Sequence, residues 1–257
     1  MQTTPNDSKE AAAVNGDYYG RLSAGRDDYW RKMAAPRFRV ATFLSLLEEH
    51  PAGSLLDIGC GNGTLLAEIG ARHPRMALGG VDLSEAQVAA NRQSRPAVSW
   101  YAADLDRPLD SSTLPPSRFD VVVASEIIEH VCHPDVFLRN ALQLAAQGGR
   151  LLLSTQSGPV RETERRVGHV RHFTVREMTD LLEQSGWQPQ RVWNAGFPFH
   201  DLSKWYANLD PDASMRQFGE SHYGWKQDLV CSALRVAFRF NSSHRGAQLF
   251  AVARKSA

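Results

Sequence analysis

Leu55-Leu56-Asp57-Ile58-Gly59-Cys60-Gly61-Asn62-Gly63 is the stretch on which the fold of this chain turns. An apolar run ends in an acid, and three glycines follow at alternate positions before a helical pattern begins. Glycines suit a tight turn that approaches a ligand, because no Cβ stands between backbone and ligand. In open α/β sheets, ligands bind at the carboxyl ends of the strands, where this loop falls. A dinucleotide-binding fingerprint carries a further glycine or alanine three residues after its second glycine. That position is Thr64, which weakens a pyrophosphate-on-helix reading and disfavours a nicotinamide oxidoreductase.

Outward from this loop, short apolar runs alternate with helical stretches. Strand-like runs occur at 53–58, 77–81, 98–102, 119–124 and 150–155, and helical patterns at 63–72, 84–94, 134–146 and 174–185. Residues 36–50 open on Pro36 and carry Val40, Phe43, Leu44 and Leu47 at helical spacing, which predicts an amphipathic helix. Stretches 188–195 and 247–253 supply two more strands. The alternation predicts a doubly wound α/β fold, with a seven-stranded, mostly parallel sheet covered on both faces. Residues 197–246 depart from it. They carry Phe197, Phe199, Trp205, Tyr206, Tyr223 and Trp225, with a helical pattern at 226–239. So long an insertion is expected to be a lid or acceptor-binding cap, or else an edge-covering helical pair or dimer contact. Residues 1–16 read as a flexible tail, and 17–257 as a single domain.

Composition narrows the class. A hydrophobic fraction of 42% over 257 residues allows a real core, and a formal net charge of +1 argues against a nucleic-acid-coating protein. Charge is uneven locally: after Asp228 no acid appears, whereas Arg235, Arg239, Arg245, Arg254 and Lys255 do. Such a face is either plain solvated surface or suited to an anionic substrate or membrane surface. Cys60, Cys132 and Cys231 lack metal-ligand spacing and suit buried thiols in a reducing compartment. The N-terminus has no apolar core of signal-peptide type, and no later apolar run is long enough to span a bilayer. A cytoplasmic monomer or homodimer is expected.

Two further acids follow the first. Asp82 ends the second strand in Gly80-Val81-Asp82-Leu83, where it can accept both hydroxyl hydrogen bonds of a ribose. Asp104-Leu105 follows the third strand, where a carboxylate can take an adenine amino group and a leucine can flank the ring. Three acids at three successive strand ends resemble the class I methyltransferase superfamily, over roughly residues 37–195 and the final strand. The resemblance implies S-adenosylmethionine as cofactor, with Asp57, Gly59, Cys60 and Gly61 under its methionine part. It places Asp82 and Leu83 at the ribose, and Asp104 and Leu105 at the adenine. Ser125, at the end of the fourth strand, joins the expected cofactor contacts. In related enzymes the segment before the first helix, here with Tyr18, Tyr19, Tyr29 and Trp30, closes over the cofactor, and Arg37 could meet its carboxylate.

The fourth strand leads into Ser125-Glu126-Ile127-Ile128-Glu129-His130-Val131. On a helical turn, Glu126, Glu129 and His130 would share one face, and a divalent cation would reconcile two carboxylates with an imidazole. Gly168-His169-Val170-Arg171-His172-Phe173-Thr174 lies in the loop after the fifth strand, which should return to the same rim. This Glu-x-x-Glu-His arrangement with a later histidine resembles two methyltransferase families, one acting on the terminal 2′-hydroxyl of small RNAs and one on catechol-like ubiquinone precursors. Both use a metal, and the family histidine best matches His169. The resemblance implies Glu126, Glu129, His130 and His169 as ligands. Oxygen-rich ligands favour Mg2+ or Mn2+, while the histidines leave Zn2+ open.

The expected reaction is O-methylation, with His130 or His172 accepting the proton and Glu129 beside them. The layout also resembles bacterial methyltransferases of sugar and secondary-metabolite pathways, which implies a small-molecule or saccharide acceptor. Arg161, Arg165, Arg166 and Arg171 would suit an anionic one. Two other readings stay open: a metal-independent O- or N-methyltransferase with His130 as general base, and a non-catalytic cofactor-binding partner subunit.

Overall fold

The computed structural model describes residues 27–109, 118–219 and 223–256. The expected tail and Tyr18 and Tyr19 lie outside the described residues. Seven strands form one sheet: β1 (Ser54–Ile58), β2 (Ala77–Asp82), β3 (Ser99–Ala102), β4 (Phe119–Ser125), β5 (Ala145–Gln156), β6 (Trp187–Ala195) and β7 (Gln248–Lys255). Their order is β3-β2-β1-β4-β5-β7-β6. The first five pair in parallel, and β7 runs antiparallel to β5 and β6. The strand order reverses between β1 and β4, so a crevice opens at their carboxyl ends.

Seven described helices precede the insertion: α1 (Asp27–Lys32), α2 (Ala34–Glu49), α3 (Thr64–Arg72), α4 (Glu85–Ser94), α5 (Pro134–Leu144), α6 (Glu162–Arg166) and α7 (Val175–Gln184). Side chains alternate across the sheet, so each central strand feeds two cores. Leu56, Val122, Leu151 and Leu153 meet Phe137 and Leu138 of α5 and Met178 and Leu182 of α7 on one face. Leu55, Val121, Val123 and Leu152 meet Phe43 and Leu47 of α2 and Leu66 and Ile69 of α3 on the other. Phe43 is fully buried, 6.1 Å edge-on from Phe250. Truncating it to alanine would cost about 3–5 kcal/mol.

Local signals fix the helix ends. Thr174 caps α7 by accepting the Glu177 N–H, while the Glu177 carboxylate returns to the Thr174 N–H. The fifth helix stops at Leu144, two residues short of the expected 146, because Ala145 is already extended and opens β5. Between β6 and β7 the insertion folds into α8 (Phe199–Ala207), α9 (Pro211–Gly219) and α10 (Trp225–Phe238). Cys60 and Cys231 are buried and Cys132 is half-buried, and none of the three is in a disulfide. No helix among the described residues is long and apolar enough to cross a membrane.

Candidate active site

Gly59, Gly61 and Gly63 all have positive φ, at 73°, 49° and 71°. They turn the chain from β1 into α3, but for different reasons. A Cβ on Gly63 would stand 2.5 Å from the Trp100 ring, so this glycine is required by packing. A Cβ on Gly61 would meet nothing within 4 Å, so its backbone faces open space where a ligand can approach. Helix α4 holds the loop: its Asn91 donates to the Gly61 carbonyl at 2.7 Å.

The three acids sit along this rim. Asp57 is buried at 2% exposure, and burial, with the nearby Asp82 charge, pushes its carboxyl up to about 8. Burial also raises Asp82, against the pull of backbone N–H groups from Ser84 and Gly61. Burial and the same two carboxylates push the Cys60 thiol up, so it is no nucleophile. Asp104 is half-exposed, accepts the Asp106 N–H at 3.0 Å and faces Arg107 at 3.2 Å. Leu83 is 63% exposed, an uncovered apolar surface beside Asp82. Leu105 instead turns its side chain into the core. Arg37 pairs with Glu68 of α3 at 2.6 Å. The Ser125 hydroxyl pairs with that of Ser154 on β5.

Residues 126–130 do not form the expected helical turn. Glu126 takes a left-handed φ of 53°, and α5 begins only at Pro134. A non-glycine residue rarely adopts this conformation, and it separates the Glu126 side chain from its neighbours. Glu126 reaches instead into a buried network. It accepts from Ser154 at 3.0 Å, from Gln248 of β7 at 2.8 Å and from Gln156 of β5, with Arg39 of α2 at 3.7 Å. Burial pushes its carboxyl up, but Arg39 and these hydrogen bonds outweigh it and hold the group below the usual range.

Glu129, His130 and His169 do come together, each offering a ligand atom within 4.8 Å of the others. Three of the four residues expected as ligands thus meet, and Glu126 lies outside the group. One Glu129 oxygen accepts from Thr155 at 2.8 Å, while the other, fully buried, has no hydrogen-bond partner. Burial and the Glu126 charge push this carboxyl well above its usual value. The histidines form a string. The His130 and His169 rings lie 4.6 Å apart edge to face, His169 Nδ1 is 2.9 Å from His172 Nε2, and His172 Nδ1 is 3.1 Å from the Gly158 carbonyl.

The string fixes tautomers. The Gly158 carbonyl only accepts, so His172 carries its proton on Nδ1, and its Nε2 accepts from His169 Nδ1–H. His169 Nε2 is left as a bare lone pair. His130 hydrogen-bonds the Gly168 backbone, which leaves its other nitrogen as an acceptor. Burial lowers all three imidazoles, His130 to about 4, so they are neutral at pH 7. Glu129, His130 and His169 bring a buried, unpartnered carboxylate oxygen together with two neutral imidazoles, a donor set that fits a divalent metal.

Arg39, Gln156, Gln248, Lys204 and His200 escaped the sequence reading. Arg39 follows Pro36 by three residues on the buried stripe of α2, a placement the helical spacing already contained. Lys204 of α8 meets Glu164 and Gln156, each at 2.8 Å, tying the insertion to the site. Beside it lies a cavity of about 220 Å³, lined by Arg161, Asp201, Lys204 and Gly158 among others. Of the arginines named for an anionic acceptor, Arg161 lines this cavity. Arg165 and Arg166 pair with Glu162, and Arg171 donates to the Cys132 carbonyl.

Known proteins resemble the chain in sequence and in fold. The chain is 31% identical over 169 residues to a probable S-adenosylmethionine-dependent methyltransferase of Mycolicibacterium smegmatis, covering 63% of this chain and 60% of the relative. It is 35% identical over 105 residues to a ubiquinone biosynthesis O-methyltransferase of Coxiella burnetii, covering 39% and 42%. The chain therefore spans about three-fifths and two-fifths of these relatives' lengths. In structure it is similar to the N-methyltransferase NodS of Bradyrhizobium japonicum, solved with S-adenosyl-L-homocysteine. The TM-score is 0.58 at 19% identity, over 95% of this chain and all (100%) of that one, a likeness of fold. A family profile described as a methyltransferase domain matches residues 29–192, the span that carries the glycine loop, the three acids and the histidine string. With its strand order and glycine turn, that match makes the chain a member of the methyltransferase-domain family, within the class I S-adenosylmethionine-dependent superfamily.

Proposed function

We propose that the chain methylates a hydroxyl oxygen on a small-molecule or saccharide acceptor, using S-adenosylmethionine and a divalent cation held by Glu129, His130 and His169. The observation that carries this reading is the cluster of the Glu129 carboxylate with the His130 and His169 imidazoles, in which one Glu129 oxygen is buried and unpartnered. Asp57, Gly59, Cys60 and Gly61 would lie under the methionine part of the cofactor, supported by the open space over Gly61. Asp82 would take the ribose hydroxyls, Leu83 and Asp104 the adenine, and Leu105 would contribute its backbone alone. Ser125 keeps a place at the strand end near the methionine part. The cofactor supplies an electrophilic methyl group on a sulfonium, open to in-line attack.

The residues of this chain do the rest. Glu129, His130 and His169 would hold the ion, which would lower the pKa of an acceptor hydroxyl. His172 orients His169 through its Nε2, a task made possible by its own bond to Gly158. Two imidazole ligands move the preference from Mg2+ towards Mn2+ or Zn2+. The insertion 197–246 would act as the acceptor cap, supported by the reach of Lys204 to Glu164 and Gln156. A metal-independent reading rests on the neutral His130, whose value of about 4 makes it an available general base.

Chelation separates the two. In the metal reading, a chelator stops methyl transfer while cofactor binding stays intact, and Mn2+ or Zn2+ restores turnover. Glu129→Gln and His169→Asn abolish metal retention measured by elemental analysis, Glu126→Gln does not, and His172→Ala weakens it by about 10–100-fold. Full activity in chelator, with no metal in the purified protein, decides for His130 as base.

A further inference from the structure

Among the described residues, every exposed large apolar side chain except Leu83 lies between 197 and 240. The densest part is α10 and the turn that follows it. Trp225, Leu229, Val236 and Phe240 are exposed at 73%, 64%, 55% and 74%. Their spacings of four, seven and four residues put them on one side of the helix, a stripe about 20 Å long. The opposite side is already used: Cys231 and Phe238 are buried, with Cys231 against Met33 and Phe238 edge-on to Phe38 of α2. The helix is therefore apolar on both faces, one packed on the domain and one uncovered.

The charges of this helix and its C-cap that have no ion-pair partner among the described residues are basic. Lys226, Arg235 and Arg239 are exposed, and none meets a carboxylate among the described residues. The acid of the helix, Asp228, faces Lys32 at 2.8 Å. From Leu229 to the last residue the sequence holds no Asp or Glu. A second copy docked by twofold symmetry would set this basic rim against itself without a compensating acid. A surface that is apolar within and anionic at its boundary complements both features. Aromatic ends, aliphatic centre and basic flanks are what a helix lying in a headgroup layer needs.

We propose that α10 is a docking surface for an anionic lipid bilayer, on which the helix lies in the plane of the interface. Trp225, Leu229, Val236 and Phe240 enter the acyl boundary, and Lys226, Arg235 and Arg239 meet lipid phosphates. The helix packs on α2, whose Arg39 reaches the Glu126 network, so docking would hold the catalytic domain close to the bilayer surface.

The test is vesicle flotation of the full chain, which needs no acceptor, metal or turnover and so stands apart from the proposed reaction. Vesicles of phosphatidylcholine mixed with phosphatidylglycerol should carry the protein upward, and phosphatidylcholine alone far less. Each basic residue at an anionic surface contributes about fivefold to partitioning, so Arg235→Gln with Arg239→Gln should cut binding roughly 25-fold. Leu229→Ser with Val236→Ser should abolish it. For the unaltered chain, brominated lipids should quench a fluorescence component that Trp225→Phe removes, a readout independent of whether the other variants fold. Equal binding to neutral and anionic vesicles overturns the proposal. So does a concentration-dependent dimer, seen by sedimentation and lost in the serine variant, with no vesicle binding.

Discussion

The Asp82 carboxylate accepts the Gly61 and Ser84 backbone N–H groups at 2.8 and 2.9 Å and keeps acceptor capacity for an incoming hydroxyl. Asp82 thus shapes the loop and would also read the ribose. Asp82→Ala should weaken S-adenosylmethionine binding by about 1.5–3 kcal/mol, the range for hydrogen bonds to a charged group. Calorimetry measures this, and unchanged affinity in a folded variant would place the cofactor elsewhere. The contrast between Arg37 and Arg39 shows what single residues reveal in sequence. Both are arginines on one helix, and only their phase differs. Arg39 shares the buried stripe with Val40 and Phe43, while Arg37 faces Glu68. Phase was legible, but that Arg39 would meet a buried carboxylate depended on Glu126, whose conformation was not.

At the scale of elements, the alternation of β-runs and helical patterns was legible because the central strands are buried on both faces and the helices packed on them bury one face. The turn after β4 was not. Residues 126–130 have helical spacing, yet no local pattern announces that Glu126 will go left-handed to meet Gln156 and Gln248. Those glutamines lie on strands far apart in sequence and paired only in the sheet. The glycine loop gives the clearest test at this scale, because its glycines answer to different neighbours. Gly63→Ala drives a Cβ into the Trp100 ring, 2.5 Å away, and should lower the melting temperature sharply. Gly61→Ala meets no atom and should cost only about 1–2 kcal/mol of stability for its left-handed backbone. It should nonetheless impair cofactor binding, because the methyl occupies the space left for the ligand. Thermal melts and calorimetry on both variants separate packing from binding. A Gly61→Ala protein with normal cofactor affinity would remove the loop from the cofactor site.

Across the whole molecule, stability should depend on pH through groups that folding holds out of water. Burial lowers His130 to about 4 and His200 to about 3 from 6.5, and lowers His169 and His172 as well. Each folded value lies below the unfolded one, so the folded chain binds fewer protons. The histidine contribution is complete above pH 6.5 and is lost as pH falls towards 4 and 3. Asp57, raised from 3.8 to about 8, works the other way, since its folded form favours the proton and loses stability as pH rises between those values. The sum partly cancels, so the histidine effect must be isolated in one residue. His200 serves: it is 2% exposed, sits edge-on to Phe238 at 5.9 Å, and its Nδ1 has no hydrogen-bond partner. His200→Leu keeps a similar volume and removes the titration. Above pH 7 the stability difference between wild type and variant should be constant. Between pH 7 and pH 4 it should shift in favour of the variant by up to roughly 3 kcal/mol, at about 1.4 kcal/mol per pH unit below the unfolded value. Urea unfolding at both ends of this range measures the shift directly, and packing changes drop out because they are the same at each pH. A difference that does not move with pH would mean that His200 takes up its proton in the folded chain as readily as in water.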